Sequence, residues 1–303
     1  MNTADQVVVQ FNENQVILLN ICLGFLMFGV ALDLKLEEFK EVSKNVRSIV
    51  TGLVSQWIML PLLTLTIIWI LKPQMSIAMG MILVASCPGG NVSNYAVHLA
   101  GANTWLSVIL TTFSTLFCVV STPLIFNGMS RFLYENNALS GNFDISFYQM
   151  AGAIFQLLFV PMLLGIAMAH YYPGQTLRIK SWVKKLSMMI FIGFVIAGIW
   201  ANIENIAQYV HLVFLLVLVH NGLALAGGYG IGTLGGLTDK DRKAVSIETG
   251  IQNSGLALVL IFNFFDGIGG MALIAAWWSI WHLISALSVA LFWHSNRIAV
   301  PGG

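Results

Sequence analysis

The sequence predicts an all-α polytopic membrane protein with nine transmembrane helices, forming a single domain over residues 1–303. Of the 303 residues, 57% are hydrophobic and 9% are charged, whereas an ordinary soluble domain carries about 25% charged residues. The apolar residues fall into segments close to the roughly 20 residues that a helix needs to cross the hydrocarbon core. We predict spans at about 15–34, 47–71, 77–101, 105–128, 146–172, 186–203, 208–236, 243–264 and 270–294.

The basic residues predict the orientation of these spans. If the N-terminus lies outside, only Lys72 and Arg131 of the 14 Lys and Arg residues remain outside, and the other twelve fall in cytoplasmic loops. These twelve are Lys35, Lys40, Lys44, Arg47, Arg178, Lys180, Lys184, Lys185, Lys240, Arg242, Lys243 and Arg297. This asymmetry predicts that the N-terminus lies outside and the C-terminus in the cytoplasm. We expect the protein in the plasma (inner) membrane. The opening MNTADQ has no basic region, so we expect no cleaved signal peptide.

The third and eighth spans are chemically unlike the others. Pro88, Gly89 and Gly90 in the third, and Gly250 and Gly255 in the eighth, predict a break in each helix. Freed backbone groups cannot face lipid, so such breaks line a cavity or are buried in protein. The two spans lie five helices apart and cross the membrane in opposite directions. Interrupted helices in two inverted halves are typical of secondary transporters, although close helix packing alone is the alternative.

Glu248 is the one charged side chain predicted deep within a span. A charge there costs at least about 2.5 kcal/mol on insertion scales, so it normally has a partner or a function. Because no Lys or Arg within the spans can be that partner, we infer a mobile cation and predict an ion-coupled transporter. A sodium ion takes several oxygen ligands, and polar side chains lie around both breaks. They are Ser93, Asn94, Ser107, Thr111, Thr112, Thr249, Gln252 and Asn253.

Polar residues within the spans also have a purely structural explanation. Ser and Thr in membrane helices often bond back to their own helix. Gln56 is an amide within an apolar span, and Pro61 is expected to loosen the helix around it. For Gln56, structural hydrogen bonding and a role in the site stay equally open.

Two motifs resemble the bile acid/sodium symporter family: GGNVSN at 89–94 and ETGIQNSGLAL at 248–258, which follows the basic loop DKDRKA. Gln56 lies in the matching early helix, and WSIWHLIS at 278–285 matches the last span of that family. The resemblance implies a core domain in which the interrupted helices, about 77–101 and 243–264, cross. It also implies a panel domain made from about 15–34, 146–172 and 186–203. The chain resembles the nine-helix members, since it lacks the extra N-terminal span of ten-helix members.

The resemblance further implies two sodium ions and a small organic anion, either bile acid-like or a small carboxylate. The first sodium site would consist of Ser93, Asn94, Ser107, Thr111 and Glu248. The second would consist of Gln56, Glu248, Gln252 and the main-chain carbonyls of Thr249 and Ile251. The anion would bind amides near Asn91, Val92 and Ser93, with Asn253 and His282 on its border. This chain has Leu283, beside His282, where some relatives have Asn. The polar contact to the substrate that Asn would offer is therefore not expected here.

Other functions fit the sequence less well. A proton-coupled carrier would use Glu248 as the protonatable group, but the oxygen-rich surroundings favour sodium. No Lys lies deep in a span to hold retinal, and nine helices do not suit a seven-helix receptor. An enzyme is not expected, because His220, His282 and Ser93 lack catalytic or metal-type spacing.

GGYGIG at 227–232 predicts close helix packing. The expected surroundings are the lipid bilayer, with no nucleic acid and no obligatory protein partner.

Overall fold

The computed structural model describes residues 13–33, 45–137, 145–201 and 203–298. These residues form thirteen α-helices and two π-helical turns. The α-helices are α1 (Glu13–Ala31), α2 (Val46–Val54), α3 (Leu60–Leu71), α4 (Met75–Ser86), α5 (Val92–Leu99), α6 (Thr104–Asn137), α7 (Phe147–Ile154), α8 (Val160–Tyr171), α9 (Pro173–Ala201), α10 (Ile203–Leu234), α11 (Asp239–Gly250), α12 (Ser254–Phe264) and α13 (Gly269–Ile298). The opening MNTADQ and the basic residues Lys35, Lys40 and Lys44 lie outside the described residues.

Six helical segments among the described residues are long and apolar enough to cross a membrane. They are Glu13–Ala31, Val46–Leu71, Thr104–Leu133, Phe147–Tyr171, Val213–Leu234 and Gly269–Ser295. Each overlaps one predicted span. The predicted spans 77–101 and 243–264 are each divided between two shorter helices, as expected for interrupted spans. The protein is therefore an integral membrane protein built from helices, while the count of nine spans stays a prediction.

Helix α9 extends well beyond the predicted sixth span. It begins at Pro173 rather than at 186, and proline suits the first position of a helix because its missing N–H has no partner there in any case. Lys180 and Lys184, one turn apart on α9, contact the Asp33 carboxylate after α1 at 3.0 and 2.8 Å. The prediction that this basic segment, including Arg178, is a loop is wrong, because it continues the helix and pairs with an acid.

Helix α11 also begins earlier than predicted, within the basic segment before residue 243. The Thr238 hydroxyl accepts a hydrogen bond from the Asp241 amide at 3.3 Å. Asp239 and Asp241 occupy the first turn, where carboxylates interact favourably with the helix dipole. Lys240 therefore lies on a capped helix rather than in a loop.

The first interrupted span breaks at Pro88, and the second breaks at residues 251–253, between the two glycines predicted to break it. Cys87 is extended, with φ −72° and ψ 157°, as expected for a residue before proline. Gly250 ends α11, whereas Gly255 lies inside α12. The expectation that Gly255 breaks the helix is wrong, because the Asn253 side chain caps α12 at its start and the helix is already formed at residue 255.

The two breaks contact each other through their backbones. Gly89 and Gln252 form an isolated antiparallel bridge. Two hydrogen bonds flank it, from the Gly90 amide to the Ile251 carbonyl at 2.9 Å and from the Asn253 amide to the Pro88 carbonyl at 2.8 Å. A Cβ on Gly90 would lie 3.0 Å from the Gln252 carbonyl oxygen. Each break therefore satisfies backbone groups of the other, which removes them from lipid.

Two π-helical turns widen the long helices. Ser55–Met59 separates α2 from α3, and Phe155–Phe159 separates α7 from α8. Pro61 and Pro161 follow them at matching positions. Proline donates no hydrogen bond and its ring clashes with the preceding turn, so the helix opens just before it. The predicted loosening of the helix around Gln56 is confirmed.

Glycines allow α10 to lie close against α11. A Cβ on Gly228 would lie 2.9 Å from the Ser246 Cα, and one on Gly232 would lie 3.1 Å from the Arg242 Cα. These glycines are one turn apart and share a face of α10. The prediction that GGYGIG serves helix packing is confirmed, and this packing holds α11 against α10.

Candidate functional site

The carboxylate of Glu248 lies at the centre of the structure, in the last turn of α11. Its side chain is fully buried, with 0% exposed. The hydroxyls of Ser93 and Ser107 donate to its Oε1. Thr111 Oγ1 lies 3.0 Å from Oε1 and 2.9 Å from Oε2. The carboxylate is therefore surrounded by hydroxyls from α5 and from one face of α6, where residues 107 and 111 are one turn apart.

Asn94 adds a further oxygen to this cluster. Its Oδ1 lies 2.8 Å from Ser107 Oγ and 3.5 Å from Thr111 Oγ1. Ser107 has a single hydroxyl hydrogen but is within reach of both Asn94 and Glu248, so it cannot satisfy both at once. The ion pairs of the described residues do not involve Glu248. The cluster contains many oxygen atoms and few hydrogen-bond donors to satisfy them. Hard cations prefer such an environment.

Two glutamine amides approach the same end of α11. Gln56, on the π turn, places Nε2 3.2 Å from the Glu248 main-chain oxygen and 3.4 Å from its Oε2. Gln252 donates from Nε2 to the Thr249 carbonyl at 3.0 Å. Both Oε1 atoms are buried, and neither has a hydrogen-bond partner within the described part of the chain. Because an unpartnered buried acceptor costs about 1–3 kcal/mol, these oxygens indicate a ligand that accepts lone pairs.

The Ile251 carbonyl is already engaged, since it accepts the Gly90 amide at 2.9 Å. A carbonyl oxygen has a second lone pair, so this bond leaves one for a cation. The predicted second set, made of Gln56, Glu248, Thr249, Ile251 and Gln252, is thus assembled around the C-terminal end of α11.

One of the predicted substrate residues lines a cavity. Asn91 faces a small cavity of about 30 Å³ together with Asn94 and Thr111. Met27 of α1 and Met162 of α8 close its other side. The cavity therefore lies between the oxygen cluster and the two helices α1 and α8.

The other predicted substrate residues have different positions. Val92 begins α5, and the Ser93 amide donates to the Gly90 carbonyl at 3.0 Å. Asn253 caps α12 by accepting from the Leu256 amide at 3.0 Å. His282 is buried on α13. Asn253 and His282 do not line the cavity beside Asn91.

Three polar residues near the site were missed by sequence reasoning. Ser55 Oγ lies 2.7 Å from Thr249 Oγ1. Ser114 Oγ accepts from the Gly89 amide at 3.1 Å, and Asn221 donates from Nδ2 to the Gly250 carbonyl at 2.7 Å. Two of them could have been found from the sequence. Ser114 lies about one turn after the predicted ligand Thr111, and Asn221 is an amide within an apolar span. Thr112, by contrast, donates to the Val108 carbonyl of its own helix at 2.7 Å. This is the structural role that hydroxyls often have in membrane helices.

Comparison with protein families decides the assignment. Residues 20–209 match the model of the Sodium Bile acid symporter family. The chain belongs to this family. Sodium bile acid symporter family members are transporters, so the prediction of a transporter rather than an enzyme is confirmed.

Three relatives illustrate the range of the sodium bile acid symporter family. The uncharacterized sodium-dependent transporter YocS of Bacillus subtilis (strain 168) is 32% identical over 276 residues, covering 91% of this chain and 82% of that protein. The probable sodium/metabolite cotransporter BASS2, chloroplastic, of Oryza sativa subsp. japonica is 30% identical over 249 residues, covering 82% and 57%. The probable sodium/metabolite cotransporter BASS5, chloroplastic, of Arabidopsis thaliana is 27% identical over 254 residues, covering 80% and 60%. The chain thus spans less than two thirds of the two plant relatives.

Proposed function

We propose that the protein couples inward sodium movement to the uptake of an organic anion by alternating access. The observation that carries this proposal is the buried carboxylate of Glu248, which is surrounded by side-chain oxygens and has no basic partner among the described residues. A proton would need only one or two acceptors, whereas sodium needs several oxygens. Similarity to proteins named as sodium-dependent transporters and sodium/metabolite cotransporters supports the choice of ion.

Two sodium ions share Glu248 in this proposal. The first is held by Ser93, Asn94, Ser107, Thr111 and Glu248. The second is held by Gln56, Glu248, Gln252 and the carbonyls of Thr249 and Ile251. The close grouping of the first set supports it, and the unpartnered glutamine oxygens support the second.

Charge balance couples the ions to the anion. Two sodium ions supply two positive charges, while Glu248 and a monovalent anion supply one negative charge each. The loaded centre is then neutral, whereas sodium alone or anion alone leaves net charge in a low-dielectric interior. Full loading therefore favours the movement that exposes the site to the other side.

The proposed substrate is a small organic anion, either bile acid-like or a small carboxylate. Asn91, Val92 and Ser93 begin α5, where the helix dipole favours negative charge. The cavity beside Asn91 lies next to this position, but at about 30 Å³ it is only about the size of one water molecule. In this proposal the movement between the two access states widens the site towards Asn253 and His282, which would border the bound anion. The lining residues found among the described segments include no Lys or Arg, which favours a monovalent anion.

Alternating access would move the crossing helices of an inverted-repeat core past a panel of α1, α7, α8 and α9. Close packing within the panel supports its acting as one unit. A Cβ on Gly165 of α8 would lie 2.6 Å from Ala31 Cβ, and one on Gly29 of α1 would lie 3.1 Å from Ser187 Oγ of α9. We place the protein in the plasma membrane with its N-terminus outside and its C-terminus in the cytoplasm.

Uptake into liposomes that contain the purified full-length protein tests the proposal. Radiolabelled organic anions would be supplied outside with an inward gradient of sodium or of choline. We expect uptake of at least one anion with sodium only, and its loss to background in Glu248→Gln. Asp266→Asn is the matched control, because it also removes a carboxylate but lies exposed at φ 48°, where asparagine is well tolerated.

Two outcomes would overturn the proposal. One is full sodium-driven uptake by Glu248→Gln. The other is uptake that a pH gradient drives in sodium-free medium and that Glu248→Gln abolishes. The second outcome would establish proton coupling through Glu248 instead.

A further inference from the structure

The C-terminal end of α11 has an unusual set of hydrogen-bond donors. The last four carbonyls of an α-helix have no partner within the helix. The Ile251 amide bonds the Ile247 carbonyl at 3.0 Å, so the unpaired carbonyls begin at residue 248. Each has a donor from elsewhere: Gln56 for Glu248 at 3.2 Å, Gln252 for Thr249 at 3.0 Å, Asn221 for Gly250 at 2.7 Å and the Gly90 amide for Ile251 at 2.9 Å.

Three of these four donors are side-chain carboxamides, and they share a second property. Each uses its NH₂ group on an α11 carbonyl and leaves its own oxygen without a partner. These oxygens, Gln56 Oε1, Gln252 Oε1 and Asn221 Oδ1, are all buried within the described part of the chain. Gln56 and Gln252 already belong to the proposed second sodium site. Asn221 has the same arrangement, but it lies on α10 and is not among the predicted ligands.

Asn221 acts on the carbonyl of Gly250, the last residue of α11. Gly250 has no Cβ, and a Cβ there would lie 3.7 Å from Asn221 Nδ2. The Gly250 carbonyl shares one peptide plane with the Ile251 amide, which bonds the Ile247 carbonyl at 3.0 Å. The 2.7 Å bond from Asn221 holds the other edge of this plane. The Thr249 and Ile251 carbonyls belong to the adjoining peptide units, so their directions depend on this plane.

We propose that Asn221 is a positioning residue for the cation site, which holds the end of α11 so that the Thr249 and Ile251 carbonyls keep the spacing a sodium ion requires. This inference rests on the proposed function. Asn221 acts from α10, whose glycines hold it against α11, so the site depends on this helix as well as on the two crossing helices. The side chain is fully buried, with 0% exposed, and it acts through Gly250 rather than on the ion.

A purely structural cap would behave differently. Its loss would lower thermal stability equally with and without sodium, and it would leave the preference among cations unchanged. A positioning residue sets the distances between ligands, so its loss changes sodium affinity and the ratio of sodium to lithium affinity. Lithium is smaller than sodium and responds differently to a looser cage.

The test uses purified full-length protein in detergent, titrated with sodium chloride or lithium chloride against a choline chloride background. Cation binding is followed by calorimetry and by the rise in melting temperature. We expect Asn221→Ala and Asn221→Leu to raise the half-saturating sodium concentration about tenfold, equivalent to about 1.4 kcal/mol, and to change the sodium-to-lithium ratio. Asn221→Leu preserves the volume if the alanine variant does not fold. Asn127→Ala, which removes a carboxamide more than four turns along α6 from Thr111, is the matched control and keeps wild-type affinity.

The outcomes separate this inference from the proposed function. If wild-type protein shows no sodium response, the proposed function fails. If sodium stabilises wild type but not Glu248→Gln, the cation site on which the proposed function depends is present. Wild-type sodium affinity and selectivity in both Asn221 variants would then overturn the role of Asn221 alone.

Discussion

The side chains of Asn20 and Asn263 form two reciprocal hydrogen bonds, although the residues are 243 positions apart. Asn20 Nδ2 lies 3.2 Å from Asn263 Oδ1, and Asn263 Nδ2 lies 2.9 Å from Asn20 Oδ1. The pair joins α1 to α12, which are assigned to the proposed panel and core. It therefore stabilises one relative position of the two units.

Replacing Asn20 or Asn263 by alanine should lower the free energy of unfolding by about 1 kcal/mol, since hydrogen bonds between membrane helices contribute about 0.6 to 1.7 kcal/mol. The double variant should lose little more than either single variant, because the bonds need both partners. Unfolding of the four proteins in the same detergent would measure this. Fully additive losses would show that the two side chains act independently.

Gly90→Ala should disturb the contact between the two breaks. The new methyl group would lie 3.0 Å from both the Gln252 carbonyl oxygen and Ile251 Cγ2, and such overpacking typically costs about 1–3 kcal/mol. We expect a lower melting temperature and weaker sodium stabilisation. Gly128→Ala in α6 is the control, because nothing lies within 4 Å of its added Cβ. Equal effects of the two variants would refute the steric argument.

Pro61→Ala should restore α-helical hydrogen bonding at the π turn and rotate Gln56 away from the Glu248 carbonyl. We expect sodium affinity to fall about tenfold, or by about 1.4 kcal/mol, because Gln56 would no longer reach α11. Pro161→Ala is the matched control, since Pro161 follows the other π turn, in the proposed panel. Calorimetric sodium titration measures both. A larger loss in Pro161→Ala than in Pro61→Ala would contradict the role given to the first π turn.

Acid should weaken the contact between Asp239 and Lys243 at the start of α11. The Lys243 ammonium, 2.6 Å from the carboxylate, lowers the pKa of Asp239, burial opposes this, and the Tyr229 hydroxyl assists it. Because the folded pKa lies below the unfolded value of about 3.9, the stabilisation is complete above that value and is lost as pH falls through the folded pKa.

The melting temperature should therefore be higher for wild type than for Asp239→Asn between pH 5.5 and 7, with the gap closing below about pH 4. Thermal unfolding across this pH range measures the gap. Since Asp239 is largely exposed, the effect is expected to be small. A gap that widens on acidification would show that the carboxylate does not stabilise the fold.

Local sequence signals were sufficient where neighbouring residues on one helix create the feature. Pro88 predicts its own break because it constrains the residue before it. Ser107 and Thr111 share a helix face by their spacing alone, and Pro61 opens the turn that contains Gln56. The sequence also isolates Glu248 as a charge without a partner, and the structure brings hydroxyls to it.

Other features depend on partners that are distant in sequence. The α9 segment continues as a helix past the apolar stretch, and Lys180 and Lys184 on this extension pair with Asp33. Hydropathy does not report such pairing. Gly255 lies within a helix because Asn253 caps it, which outweighs the flexibility of glycine. Asn221 gave only the weak signal of an amide in an apolar span, since its acceptor is a main-chain carbonyl.

The bonds between the two breaks constrain how the protein enters the membrane. The ribosome delivers Pro88 and Gly90 long before it makes Asn253 and Ile251, so the first break has a free carbonyl and a free amide during much of translation. Lipid offers neither a donor nor an acceptor for them. We therefore expect the α4–α5 segment to settle into the bilayer only when α11 and α12 arrive, so that insertion of an early segment waits for a late one.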